Sequence, residues 1–472
     1  MSGPGRLPAA GLETPRPVAL VVLAILAHLV AAQSITLVPR IITMDFYQYW
    51  GVGAVRRMSP EPLGSPYRDP RSYHAVLNRY AANAGHPKLE TLSRAVRQPG
   101  LTATPFTYLL FTGFPAEYTV AAGVFHVLQV AAFLGGMIVL GVLYGYAPFP
   151  LLCLAGLLLL AAGPVSSDLR VGNIGCLQFA ALAGCLALAL RLGRAARPTA
   201  FGAVLLSLVT VLLLVKPNVA PALGMLALHA WFVLGIRRVA LAAVPAALAG
   251  AVVLVVPSLY FDNWAVWQEW YRSVFGGNPY ALAGPPSVGN YSGSKLIANL
   301  LGLGLGTVAA LLAACLLASM VLVMAWPAAG ARRPTPRAMV ARVLGDPRLA
   351  IAIGVVCAVA LPPLAWYHYY VIALIPALWL LAPSPGSWTL AACGFAGLAL
   401  SVGLPNVLLL PLGWNDAVAG MAALSWLPLW IGILLRLRWA VDEPRAAAAA
   451  ASDQQRQPEP RRRRPRPAAA RP

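Results

Sequence analysis

The sequence predicts an all-α polytopic membrane protein, and two observations support that fold class. Of the 472 residues, 59% are hydrophobic and only 11% are charged, whereas soluble domains carry about 25% charged residues. The apolar residues also form runs of roughly 20, the length that a helix needs to cross a hydrocarbon core of about 30 Å. Because backbone polar groups must be satisfied inside lipid, each run is expected to be helical.

Hydropathy predicts about twelve transmembrane helices in one domain, residues 1–440. No small-residue cleavage site follows the first apolar run, so we expect it to remain as a spanning helix. Two polar segments, 39–103 and 259–294, are expected to lie outside the membrane and to contain amphipathic helices. The Ala-, Pro- and Arg-rich residues 441–472 are predicted to form a disordered basic tail. The apolar segments are 17–38, 104–143 (a short piece and a span), 148–164, 173–192, 199–215, 218–235, 238–258, 296–326, 349–366, 368–383, 387–411 and 417–437.

Four short basic loops orient the predicted spans. They contain arginine and almost no acid, and counting spans places all four on one side: 191–198, 235–238, 331–348 and 436–445. The positive-inside rule makes that side cytoplasmic. Both termini are then cytoplasmic, and the two long polar segments face outward.

Charge and cysteine content exclude several function classes. The net charge of +20 lies largely in the basic loops and in Arg461–Arg466, where it sets orientation and contacts anionic lipid rather than nucleic acid. The six cysteines lie in apolar segments without a CxxC pair, so we interpret them as small buried side chains and expect no disulfide framework. Signatures for ATP, zinc or acyl-enzyme chemistry are absent, and we predict no cofactor and no metal.

Asp45 is the first candidate catalytic residue. It follows the first predicted helix in the stretch "MDFYQYW", where Phe46, Tyr47, Tyr49 and Trp50 are typical of a membrane interface. One interpretation is a helix cap or an ion pair with a nearby arginine. The other is a general base at the depth of a lipid headgroup, with Tyr49 among the residues that contact substrate.

Two further turns are candidates for binding a phosphate. In "SSDLRVGNIGCLQ", Arg170 could bind phosphate through its guanidinium and Asn173 could add a donor, although an Asp168–Arg170 turn with ordinary capping explains the same residues. In "VKPNVAP", Lys216 and Asn218 lie where one span ends and the next begins. A lysine at that depth either extends to the interface or binds an anion.

The remaining candidates are aromatic or imidazole side chains on predicted outer turns. His368 lies in "LAWYHYYVIALIP" with Tyr367 beside it, and either binds a phosphate or sugar hydroxyl or is structural. Trp264 belongs to an aromatic stretch followed by a Gly-, Asn-, Pro- and Ser-rich loop. That composition is typical of a sugar site and also of an interfacial belt.

The order of these motifs resembles a known family. An Asp-Phe pair follows the first helix, a long segment runs to "TATPFTYLLFTGFPAEY", and a "GN…Q" turn, a "KPN" turn and a late Trp/His/Tyr turn follow. In layout over residues 17–437, the chain resembles the polyprenyl-phosphate-sugar-dependent glycosyltransferases of the GT-C fold. More specifically, it resembles glycosyltransferase family 87, which contains mycobacterial α-1,2-mannosyltransferases.

The resemblance implies a GT-C-like bundle in a bacterial inner membrane, with the active site on the external face. It also implies a polyprenyl-phosphate hexose donor, with mannose as the expected sugar, and a lipid or glycan acceptor. By the same resemblance, Asp45 is the general base, and His368 and Lys216 lie near the donor phosphate. The roles of Arg170, Asn173 and Asn218 rest on their positions alone. One carboxylate base without a second nucleophile favours inversion.

Three other functions remain open from the sequence. A lipid-linked-sugar flippase or another transporter would keep charged residues near the bilayer midplane. A polysaccharide ligase or polymerase would share the outward-facing site but would normally require a large external loop late in the chain. A non-catalytic scaffold would leave Asp45 and the outer polar segments without a role.

Overall fold

A computed structural model describes most of the chain, and every regular element in the described residues is helical. The predicted tail, 441–472, lies outside the described residues, as do parts of the two predicted external segments. The described residues are 16–37, 43–59, 63–84, 89–91, 93, 103–161, 163–275, 291–326, 335–382, 388–401 and 420–439.

We number eighteen α-helices in these ranges, in chain order. Two 3₁₀ helices, Pro217–Val219 and Tyr367–Ala373, interrupt the α-helical segments. The α-helices are α1 Arg16–Leu37, α2 Met44–Met58, α3 Pro70–Asn83, α4 Pro105–Phe111, α5 Tyr118–Tyr144, α6 Pro148–Leu160, α7 Pro164–Val171, α8 Gly175–Leu192, α9 Pro198–Val215, α10 Ala220–Tyr260, α11 Val266–Phe275, α12 Gly293–Leu301, α13 Leu305–Ala325, α14 Pro336–Gly345, α15 Pro347–Ala360, α16 Leu374–Leu381, α17 Trp388–Ser401 and α18 Gly420–Trp439.

Six helices in the described residues are long and apolar enough to cross a membrane, or up to eight if each of two bent pairs counts as one span. The bent pairs are α6 with α7, at 54°, and α14 with α15, at 87°. The prediction of an all-α membrane protein is therefore confirmed, and the number of about twelve spans stays a prediction. The six are α5, α8, α9, α13, α18 and the segment Pro217–Tyr260, which contains α10.

Glycine and proline set several boundaries locally, and two predicted boundaries were wrong for this reason. The helical segment 218–258 breaks at Gly235, whose φ of 72° is left-handed, where one predicted span ends and shortly before the next begins at 238. The predicted span 296–326 is divided at Gly302, where φ is 65°, since glycine adopts this conformation without a Cβ penalty. The predicted loop 331–348 contains α14, which begins at Pro336, a favoured first helical residue.

The aromatic residues after the first helix are buried in the protein, so the prediction that they lie at the membrane interface was wrong. Phe46 and Trp50 are each 0% exposed. The Phe46 ring stacks on Phe125 of α5 at 4.9 Å between centroids, and Trp50 Nε1 donates to the Pro115 carbonyl at 2.8 Å. The first polar segment thus folds α2 and α3 against α4 and α5, forming a second core outside the bundle of spans.

The main core lies between α8, α15 and the second 3₁₀ helix with α16. Phe179, Leu182, Ile351 and Val355 are fully buried there. Of the six cysteines, two are buried, three are partly buried and Cys315 is exposed on the apolar helix α13. The prediction that all of them are buried was therefore wrong for four. None of the six forms a disulfide.

Truncating Phe46 tests the second core. Phe46→Ala should lower the free energy of unfolding by about 3–5 kcal/mol, because it removes a fully buried ring. Trp388→Ala is the matched control, since that indole is 87% exposed. Thermal unfolding of the purified proteins in one detergent measures both. Equal losses in the two variants would contradict the buried position of Phe46.

Candidate active site

The turn between α7 and α8 is fixed by a buried carboxylate. Asp168 Oδ1 accepts from the Gly175 N–H at 3.0 Å, and Oδ2 accepts from the Cys176 N–H at 2.8 Å. A Cβ on Gly175 would lie 2.5 Å from Asp168 Oδ1, so glycine is required for this approach. Gly172 ends α7 at φ 69° and donates to the Asp168 carbonyl at 2.9 Å. These bonds fix the backbone on both sides of Asn173.

The side chain of Asn173 joins Asp45 and Lys216, which come from distant parts of the chain. Its Nδ2 donates to Asp45 Oδ2 at 2.5 Å, and its Oδ1 accepts from Lys216 Nζ at 2.6 Å. Oδ1 also accepts from the Ile174 N–H at 2.7 Å. Asn173 is only 3% exposed. A neutral amide therefore lies between the carboxylate and the ammonium group.

Lys216 is the residue between α9 and the first 3₁₀ helix, and its backbone is extended. Its φ of −156° and ψ of 109° suit a residue that precedes proline. The hydroxyls of Thr104 and Thr107, at the start of α4, both donate to the Val215 carbonyl, at 2.9 and 2.5 Å. The Lys216 ammonium lies 4.7 Å from the centre of the Tyr369 ring, a cation–π geometry. The "TATPF" and "KPN" motifs thus meet in the structure.

Asp45 is held in the first turn of α2, where a carboxylate is favoured by the helix dipole. The neighbouring Phe46 is fully buried, but the Asp45 side chain remains 26% exposed. Burial by the surrounding protein raises the pKa of Asp45, and the Lys216 charge and the Asn173 hydrogen bond lower it, with a net upward direction. This is the direction that suits a carboxylate required to accept a proton.

His368 also faces Asp45, from the second 3₁₀ helix. Its Nε2 lies 3.9 Å from Asp45 Oδ2, which is too long for a hydrogen bond. This nitrogen is buried and has no hydrogen-bond partner in the described part of the chain. The Tyr369 ring meets the imidazole edge-on at 4.8 Å. An unpaired buried nitrogen is costly, and one at this position is available to a ligand oxygen.

A second amide pair lies next to this cluster. Gln178 Nε2 donates to Asn218 Oδ1 at 2.8 Å and also approaches the Lys216 carbonyl at 3.4 Å. The pair connects α8 to the start of the Pro217–Tyr260 segment. The Asn218 side chain is therefore engaged with protein, and its predicted contact with substrate stays a prediction.

Four other predicted site residues are not part of the hydrogen-bonded cluster around Asn173. Arg170 is exposed, and its side chain makes no hydrogen bond or ion pair with the described residues. Trp264 is 73% exposed before α11. Tyr367 is buried and packs edge-on against Tyr291 at 5.0 Å. Tyr49 is buried one helical turn after Asp45, with its ring 5.0 Å from Phe111. Their predicted roles stay predictions.

Three residues at the cluster were missed or misjudged from the sequence. For Asp168, one interpretation of the sequence was a turn with Arg170 and ordinary capping, and in the structure its carboxylate binds the amides that begin α8. Tyr369 contacts Lys216, whereas the candidate predicted from the sequence to bind substrate was Tyr367, two residues earlier. Gln129 of α5 donates to the Asn173 carbonyl at 2.6 Å and to the Asp168 carbonyl at 3.1 Å. Nothing in the local sequence around Gln129 distinguishes it from the apolar helix that contains it.

The described residues contain no metal-ligand cluster, and an apolar cavity lies apart from the residues around Asp45. Within the described ranges, no three His, Cys, Asp or Glu residues come together as metal ligands. A cavity of about 350 Å³ lies between α13 and α18, with apolar walls and Arg438 among its lining residues. It contains none of the residues around Asp45, so the chemistry has to be inferred from the polar side chains.

The fold and the cluster define a helical membrane protein with a carboxylate, an amide and a lysine at the ends of its helices, an arrangement suited to group transfer between bound substrates. The sequence model of glycosyltransferase family 87 matches residues 102–347, slightly more than half of the chain. The chain belongs to glycosyltransferase family 87, and it is a membrane transferase. No curated protein and no solved structure matched it.

The Gly172 turn gives a direct test of how the cluster is held. Gly172→Ala places a Cβ 2.6 Å from Phe46 Cβ and forces alanine into a left-handed conformation. We expect a loss of stability beyond the roughly 1–2 kcal/mol of the conformation alone, measured by thermal unfolding. Gly302→Ala is the control, because its φ is 65° and nothing lies within 4 Å of the new Cβ. A loss no greater than that of Gly302→Ala would argue against the close packing of α2 on this turn.

Proposed function

We propose that this protein transfers a hexose, with mannose as the expected sugar, from a polyprenyl-phosphate donor to a hydroxyl group of a lipid or glycan acceptor. The reaction takes place on the external face of a bacterial inner membrane. The observation that supports this proposal is the Asn173 amide, which holds the carboxylate of Asp45 beside the ammonium group of Lys216. A general base and a cation are two kinds of group that sugar transfer from a phosphate uses.

In the proposed reaction, the acceptor oxygen attacks C1 of the donor sugar. The new C1–O bond forms as the bond from C1 to the phosphate oxygen breaks, and the polyprenyl phosphate leaves with that electron pair. Asp45 takes the proton from the attacking hydroxyl, a contribution of roughly 10²–10⁴-fold to the rate. Direct attack opposite the leaving group inverts the configuration at C1.

Lys216 and His368 stabilise the leaving phosphate in this proposal. The lysine ammonium keeps donors beyond its bond to Asn173, and the imidazole has the unpaired Nε2. Groups placed where negative charge develops lower the barrier. His368 Nε2 and Asp45 Oδ2 lie only 3.9 Å apart. Because the sugar ring of the donor must fit between the base and the phosphate, this distance has to increase when the donor binds.

The directions of α8 and α9 support an external site. Each helix has 18 residues, which corresponds to about 27 Å of rise. α8 runs from the Asn173 turn to the basic loop at 191–198, and α9 returns from that loop to Lys216. The site and the arginines therefore lie at opposite ends of two membrane-length helices. With arginines on the cytoplasmic side, the site faces outward and both termini face the cytoplasm.

We also propose the GT-C architecture with about twelve spans. The helix α10 has 41 residues, which would extend about 60 Å if straight, twice the thickness of a bilayer core. Its break at Gly235 is followed by Arg237 and Arg238, which suits two spans joined at the cytoplasmic surface. α2 and α3 then supply the external amphipathic helices, before the first matched residue of the family model.

Removing the carboxylate of Asp45 tests the general base. Asp45→Asn should lower turnover by roughly 10²–10⁴-fold without loss of folding, because the amide cannot accept the acceptor's proton. Mass spectrometry of lipids and glycans from cells that lack the protein, complemented with each variant, identifies the product and its loss. Asp69→Asn is the control, since this carboxylate caps α3 at an exposed position. Normal product with Asp45→Asn would remove the base assignment.

The charge of Lys216 should set the acid limb of the pH profile. Asp45 acts when deprotonated, and the Lys216 charge lowers its pKa against the larger effect of burial. Lys216→Met removes the lowering effect, so the pKa of Asp45 rises and the acid limb of kcat/KM moves to higher pH. Loss of a charged phosphate contact should also reduce kcat/KM by roughly 10- to 100-fold. An unmoved acid limb, measured with purified enzyme from pH 4 to 8, would contradict the coupling.

A further inference from the structure

Asp168 is a buried carboxylate that the proposed reaction does not use. Its side chain is 0% exposed and forms no ion pair with the described residues. Instead, its two oxygens bind the Gly175 and Cys176 amides at the start of α8. Burying a carboxylate without a cation is costly, and charge-assisted bonds to backbone amides at a helix N-terminus offset that cost.

The same residue also fixes Asn173 from the backbone side. The Asp168 carbonyl accepts from the Gly172 and Asn173 N–H groups, at 2.9 and 3.1 Å. Gln129 Nε2 then connects the Asp168 carbonyl, at 3.1 Å, to the Asn173 carbonyl, at 2.6 Å. Both peptide groups of Asn173 are therefore bound, which fixes the direction of its Cα–Cβ bond toward Asp45 and Lys216.

We propose that Asp168, together with Gln129, is a positioning residue for sugar transfer: it acts through Asn173 and sets the spacing between Asp45 and Lys216. This inference rests on the proposed function. The Asp168 side chain binds the Gly175 and Cys176 amides, which follow Asn173 closely in the chain. Gln129 Nε2 donates to the Asn173 carbonyl at 2.6 Å and approaches Asp168 Oδ2 at 3.5 Å. The two side chains therefore fix the backbone on the C-terminal side of Asn173, the residue whose own side chain contacts both reacting groups.

Non-additivity of substitutions distinguishes positioning from capping. Asp168→Asn should lower kcat by roughly 10- to 100-fold, the effect of a small misplacement of reacting groups. In an Asn173→Ala background, where the connection is already broken, the same substitution should change kcat by less than about twofold. A purely structural role predicts the same factor in both backgrounds, and that result would overturn the proposal.

Gln129→Met can be compared in the native and Asn173→Ala backgrounds in the same way, and it leaves the charge of the site unchanged. It also tests the proposal if Asp168→Asn does not fold. Looser placement of Asn173 weakens its hydrogen bond to Asp45. Because that bond lowers the pKa of the Asp45 carboxyl, weakening it raises the pKa. Gln129→Met should therefore move the acid limb of kcat/KM to higher pH. An unchanged limb together with an unchanged kcat would overturn the role of Gln129.

Two controls complete the experiment. Asp346→Asn alters a carboxylate that caps α15 through the Arg348 N–H at 3.0 Å, near the basic loops, and should leave kcat and the pH profile unchanged. Asp45→Asn in the same assay separates the two proposals. If Asp45→Asn is inactive and the Asp168 cycle is additive, only the positioning role fails. If Asp45→Asn is fully active, the proposed function fails first.

Discussion

The hydrogen bonds of one amide, that of Asn173, are the constraint on which the site depends. They connect the start of α2, the turn before α8 and the end of α9, which are far apart in sequence. The amide can do this because Gly172 lets α2 approach closely and Asp168 fixes the turn. In the second core, formed by α2 to α5, Phe46 packs against Phe125. This packing holds the carboxylate of the adjacent Asp45 in place.

Much of this could be predicted from the sequence, for a physical reason. Apolar runs of membrane length fix where helices end, and arginine loops fix which ends lie together. Asp45, Asn173, Lys216 and His368 were all assigned to helix ends on one side, and the structure brings these four together. Hydropathy can therefore predict which residues lie at the same depth in the membrane, because the bilayer imposes a common length on every span.

Hydropathy cannot predict which residues at the same depth lie next to each other within the membrane plane. Arg170 and Asp168 are two residues apart in α7, and one side chain is exposed while the other is fully buried. Tyr367 and Tyr369 also face different partners: Tyr367 packs against Tyr291, and Tyr369 contacts Lys216, because a 3₁₀ helix turns each residue by a third of a circle. Phe46 and Trp50 were expected in lipid headgroups, but aromatic residues suit a protein core equally well. Which face a residue occupies depends on partners that the local sequence does not contain.

The neutral bridge has an electrostatic consequence for catalysis. A direct ion pair would lower the proton affinity of Asp45 and neutralise Lys216, weakening the base and the phosphate ligand together. With the amide between them, the carboxylate receives one hydrogen bond and the partial influence of a nearby charge, so its pKa stays raised by burial. The ammonium group gives one hydrogen bond to the amide oxygen. Burial lowers the pKa of Lys216 to about 8, while the charges of Asp45 and Asp168 raise it. In the proposed reaction, an anionic donor can then bind beside a carboxylate that has not lost its capacity to take a proton.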